Sequence, residues 1–111
     1  MTTTYKVLGQ VNPGATTATD LYTVPGPSTS AVVSTLVICN QVAAPCTYRV
    51  AVRPAGATLA ALHYLDYDTV LNQNDSVFLT VGLTLATTDV ITVYASTARV
   101  SFSLFGCEVT S

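Results

Sequence analysis

Ala31-Val32-Val33-Ser34-Thr35-Leu36-Val37-Ile38-Cys39 is the stretch that decides the fold of this chain. Its β-branched residues are stiff at χ1 and fit a pleated surface, and no apolar helical spacing runs through it. Within bounds of Ser30 to Asn40 it predicts a strand, and its near-continuous apolar character predicts one covered on both faces. On its N-terminal side, Thr4 to Val11 and Ala18 to Val24 read as strands, ended by Asn12-Pro13-Gly14 and Pro25-Gly26-Pro27. On its C-terminal side, Gln41 to Pro45 is a loop and Cys46 to Arg53 returns as an alternating strand. There Tyr48, Val50 and Val52 share one face, and Thr47, Arg49, Ala51 and Arg53 the other.

Beyond the break at Pro54-Ala55-Gly56, Ala57 to Leu62 fits one helical turn, a loop or a short strand. His63 to Leu71 reads as a strand and Asn72 to Asp75 as a turn. Ser76 to Val81 alternates, Gly82 permits a bulge, and Thr87-Thr88-Asp89 turns the chain. Val90 to Ala95 and Arg99 to Val109 complete the set. About eight strands at this spacing predict an all-β, single-domain sandwich over residues 1–111, jelly-roll-like, with strand order open.

Half of the 111 residues are apolar and only 9% are charged, against roughly 25% in an ordinary soluble domain. Interface cores avoid charge, so much of the surface is expected to be covered in an assembly. Net charge is −2 and the basic residues Lys6, Arg49, Arg53 and Arg99 are scattered, which argues against nucleic acid as a partner. No apolar run approaches the roughly 20 residues of a membrane helix, so no membrane partner is expected. The start, Met1 to Lys6, lacks the layout of a signal peptide, and synthesis in a cytoplasm is the expectation.

Chemistry-bearing residues are few. His63 is the only histidine, and a nucleophilic site would pair it with Cys39, Cys46 or Cys107, none of which lies in a recognisable local motif. Asp66 and Asp68 are two apart, so on a regular strand they would share a face. With Asn72, Asn74 or Asp75 they would offer oxygen ligands to calcium, yet the calcium-loop spacing is absent. The cysteine spacing matches no usual zinc pair, and the glycines are isolated. No catalytic, metal or cofactor site is therefore expected, and the chain reads as a non-enzyme. The three cysteines read as small buried hydrophobes, or else Cys39 and Cys46 form a disulfide between facing ends of one hairpin. Six tyrosines offer an alternative: gathered on one exposed face they would mark a receptor- or glycan-binding module, although tryptophan is missing.

Tyr5-Lys6-Val7-Leu8-Gly9-Gln10, Leu21-Tyr22-Thr23-Val24-Pro25 and Val50 to Ala57 resemble small structural proteins of tailed bacteriophages. So do Leu83-Thr84-Leu85-Ala86-Thr87-Thr88-Asp89-Val90 and Ser101-Phe102-Ser103-Leu104-Phe105-Gly106, and the resemblance covers most of the chain. It implies a compact β-domain on the virion, made in the host bacterial cytoplasm and without enzymatic role. Its expected partners are the major capsid protein or other virion proteins. Such proteins decorate or cement the capsid, or attach to the tail, baseplate or fibres. Virion symmetry makes a homo-oligomer the expectation, with a trimer favoured at local threefold positions.

Overall fold

The computed structural model describes residues 1–111 and contains eight strands: β1 (Thr2–Val11), β2 (Thr19–Thr23), β3 (Thr29–Asn40), β4 (Cys46–Arg53), β5 (Tyr64–Leu71), β6 (Ser76–Leu85), β7 (Val90–Ala95) and β8 (Val100–Thr110). They form two four-stranded antiparallel sheets, ordered β1-β8-β3-β6 (sheet A) and β2-β7-β4-β5 (sheet B). First pairs with last, β2 with β7, β3 with β6 and β4 with β5, alternating between the sheets. That nested pairing is a jelly roll, the all-β sandwich that the strand count and spacing predict.

The inner faces of the two sheets make one core. Leu36, Ile38, Phe102 and Leu104 from sheet A and Val50, Leu71, Ile91 and Val93 from sheet B lie among its buried side chains. At one end of the sandwich a polar bridge joins the sheets. Lys6 donates to Glu108 at 3.0 Å, and Tyr22 donates its hydroxyl hydrogen to the other carboxylate oxygen at 2.5 Å. The Tyr22 hydrogen bond is the main force holding the Glu108 carboxyl below the usual carboxylate range, against the opposing effect of burial, and Lys6 helps. Burial, followed by the Glu108 hydrogen bond, pushes the Tyr22 phenol up. Glu108 thus contributes stability that is complete above its unfolded pKa of about 4.3 and is lost as pH falls through its lower folded value. Tyr22 contributes stability complete below about pH 10 and lost as pH rises further. Glu108→Gln is expected to cost about 1–2 kcal/mol at neutral pH and to flatten the acid side of a melting-temperature profile. An acid limb unchanged in the variant would remove Glu108 as its source.

Two local expectations are corrected. β3 is not covered on both faces. Thr29, Ala31 and Val33, then Leu36, Ile38 and Asn40, point into the core, the change of phase falling at a bulge around Ser34. The intervening side chains face outward, where no third layer lies, and Val32 there is 40% exposed. Nor do β3 and β4 form a hairpin, because the 41–45 link carries the chain from sheet A to sheet B. Buried Asn40 organises that crossing. Its amide donates to the carbonyls of Ala44 and Asn72 at 3.0 Å each, and its oxygen accepts from the Val42 N–H at 3.0 Å.

Candidate functional site

The residues with chemical potential are spread over the sandwich. Cys39, Cys46 and Cys107 are free thiols. Cys39 and Cys107 are half-buried on the outer face of sheet A, in register with Ser101 and Val32 respectively. Cys46 is buried at the start of β4, in the other sheet, so the hairpin on which a Cys39–Cys46 bridge was expected does not exist. Burial also pushes the Cys46 thiol up, away from the thiolate that nucleophilic attack requires.

His63 ends a 3₁₀ turn, Ala61–His63, instead of opening β5, and it is buried. Its Nδ1 accepts a hydrogen bond from the Ala60 N–H at 3.0 Å, which places the neutral ring's proton on Nε2. The next residue, Tyr64, pairs with Ala51, five residues along β4 from Cys46. At about 3.3 Å per residue that is on the order of 16 Å along the strand, too far for a base and its nucleophile.

Asp66 and Asp68 do not share a face. β5 bulges between its pairings with Tyr48 and Val50, and Asp68 has φ 51°. Asp66 aligns with inward-facing Val50, whereas Asp68 turns outward to meet Arg49, accepting from Nε at 2.7 Å and Nη2 at 3.3 Å. Asp68 is thus paired with Arg49 on the outer face and turned away from Asp66, so the two carboxylates do not converge on one cation. No three His, Cys, Asp or Glu side chains gather in the geometry of a metal site. Asp75 instead accepts from the Ser76 N–H within its turn.

What the fold does assemble is two unlike outer faces. On sheet B, Arg49 lies between the rings of Tyr67 and Tyr94, 4.1 Å from each centroid. Tyr64 meets Tyr67 edge-to-face at 4.9 Å. Beside them an open groove of about 630 Å³ is lined by Leu59, Ala60, Ala61, Tyr64 and Tyr67. Farther along the same face, Arg53 donates to Asp20 at 2.9 Å and to Thr92 at 3.0 Å. Of the other tyrosines, Tyr22 and Tyr48 are buried and Tyr5 lies on the opposite sheet.

No family model, curated protein or solved structure matches the chain. Its function must therefore be read from its own surfaces.

The outer face of sheet A differs from that of sheet B in carrying no charged residue. Its cross-strand rows run Tyr5–Cys107–Val32–Thr84, Val7–Phe105–Thr35–Thr80 and Gln10–Ser103–Val37–Phe78. Lys6 and Glu108, the charged residues of β1 and β8, have the inward phase and pair with each other at the rim. Phe78 is 70% exposed and Tyr5 84%. Sequence reading missed this face because it assigned β3 two covers. The available signal was Phe78 itself, an aromatic at the polar phase of an otherwise alternating strand.

Proposed function

We propose that this chain is a non-enzymatic virion structural protein of a tailed phage, a capsid decoration (cement) protein bridging neighbouring shell subunits. The observation that carries this reading is the uncharged outer face of sheet A, with Tyr5, Val7, Val32 and Phe78 left exposed. An exposed face of this composition marks a protein-contact surface, and covering it buries no charge. Jelly rolls occur in capsid and in lectin domains alike, so the fold is compatible with the reading without choosing it. Repetition of one modest contact around a shell multiplies its effect.

Cryo-electron microscopy of the particles tests this. The expected result is density for this sandwich on the head lattice, with sheet A against the shell. Density at the neck, baseplate or fibres would make it a tail accessory protein, the nearest alternative. Absence from the particle would overturn both.

A second reading, a receptor- or glycan-binding module, is favoured by one observation: Tyr64, Tyr67 and Tyr94 gather on one face beside the groove. With no tryptophan in the chain, emission comes from the six tyrosines, of which Tyr64, Tyr67 and Tyr94 lie on that face, and Tyr22 and Tyr48 are buried. Titration with host-surface polysaccharide should change the emission, and Tyr64→Ala should weaken binding about tenfold, in the range of a lost aromatic stacking contact. Emission unmoved by the polysaccharide would remove this reading.

A further inference from the structure

The four sheet edges of this sandwich are not alike. β2 is five residues long, bulged, and carries Asp20. β5 is bulged and carries Asp66 and Asp68. β1 has a bulge near Leu8 and the inward-pointing Lys6. Short length, bulges and charge are the devices that keep edge strands from pairing with other chains. β6 is a ten-residue edge, Ser76-Val-Phe-Leu-Thr-Val-Gly-Leu-Thr-Leu85, without charge or proline. Its one irregularity is at Gly82 (φ 56°), leaving Ser76 to Val81 regular.

The core is also thin along β6. Val77, Leu79, Val81 and Leu83 point inward and pack on the core, yet all remain partly exposed. By contrast the inward residues of neighbouring β3 are buried. The strand therefore presents an unpaired backbone ladder flanked by partly exposed apolar side chains on its inner face and by Phe78 among Ser76 and Thr80 on its outer face.

The geometry points to β6 as a self-association edge that pairs antiparallel with β6 of a second copy across a twofold axis. Charge selects the edge: self-pairing of β2 or β5 would oppose carboxylates, whereas self-pairing of β6 opposes none, and the net charge of −2 on each copy is small enough to leave that contact open. Area permits it as well. Ten residues span about 34 Å, and the sandwich is 19 Å through its shortest extent. Across the full thickness of both sheets that gives at most roughly 600 Å² per copy, or about 1,200 Å² in total, the lower end of specific interfaces.

Register is constrained. A strand's side chains alternate with period two, so a continuous sheet requires outward residues to oppose outward residues. Within Ser76 to Val81 this sets Phe78 opposite Phe78, Thr80 or Ser76 of the second copy. In each case the two Phe78 side chains come within direct or diagonal cross-strand reach.

Sedimentation equilibrium tests this. The wild-type chain is expected at twice its 11.6 kDa mass. Phe78→Lys and Phe78→Glu should each sediment as single chains, with dissociation constants raised at least about 100-fold, and an equimolar mixture should recover the dimer. The Phe78 side chain is largely exposed, so both variants should keep the wild-type circular dichroism. Should they fail to fold, exposed Thr80 carries the same charge swap. Val32→Lys, on the central strand, should leave the dimer intact. A wild-type monomer at about 100 μM, a trimer, charge variants that stay dimeric, or dissociation by Val32→Lys would each overturn the proposal. It stands apart from the virion reading: a monomer leaves that reading in place, and absence from particles leaves the dimer in place.

Discussion

Gly106→Ala is expected to cost about 4 kcal/mol or more, near the upper limit for single substitutions. A methyl group built at Gly106 would stand 2.1 Å from the Val32 carbonyl oxygen and 3.0 Å from the Val33 Cα. Both are backbone atoms of β3, which is paired to β8 on one side and to β6 on the other. Relief therefore requires shifting a central strand against two ladders, and no side-chain rotation can supply it. In a domain of this size the loss corresponds to a fall in melting temperature on the order of 15 °C. Gly14→Ala is the matched control: the nearest atom to its new carbon is the Thr17 hydroxyl oxygen at 3.7 Å, an ordinary contact. It should lie within about 0.5 kcal/mol of wild type. Thermal unfolding followed by circular dichroism distinguishes the two, and a Gly106→Ala chain melting within a few degrees of wild type would contradict the close approach of β8 to β3.

The strands were legible because their signals are local. Val90–Ala95 and Cys46–Arg53 fall where alternation and turn residues put them, and Gly82 bulges as its place in a strand predicts. The errors have a common cause, since each depended on which strand lies beside which. Apolar residues at Val32 and Val37 read as buried because periodicity reports hydrophobicity, not the presence of a covering layer. Cys39 and Cys46, close in sequence, read as the ends of one hairpin, whereas the jelly-roll pairing puts β3 and β4 in different sheets. Asp66 and Asp68 obey the period-two rule only on a regular strand, and the bulge in β5 breaks it. The Tyr67–Arg49–Tyr94 stack joins three strands and has no signature in any one of them. Only the tyrosine count hinted at it.

On the proposed reading, Val32→Lys should weaken attachment to the particle about 100-fold while leaving the fold unchanged. Val32 lies on central β3 with its side chain turned to solvent, so the isolated domain can carry a lysine there with its ammonium in water. Docked against a shell, the same ammonium sits amid Cys107, Thr84 and the neighbouring Phe105 row, a face with no carboxylate to receive it. A buried, unpaired charge costs on the order of 3 kcal/mol, which is about two decades in affinity. The comparison that assigns the face is Tyr64→Ala on sheet B, which should attach normally. Twofold pairing through β6 would strengthen the contrast, because it joins two sheets A into one uncharged surface and presents two copies of the face at once. Attachment would then gain from avidity, and the chain that retains β6 but carries Val32→Lys would remain a dimer while losing its hold on the shell. Occupancy of particles lacking the protein, measured after adding each purified variant, reads all of this. Normal attachment by Val32→Lys would remove sheet A as the docking face, and loss of attachment by Tyr64→Ala would transfer that role to the tyrosine face of sheet B.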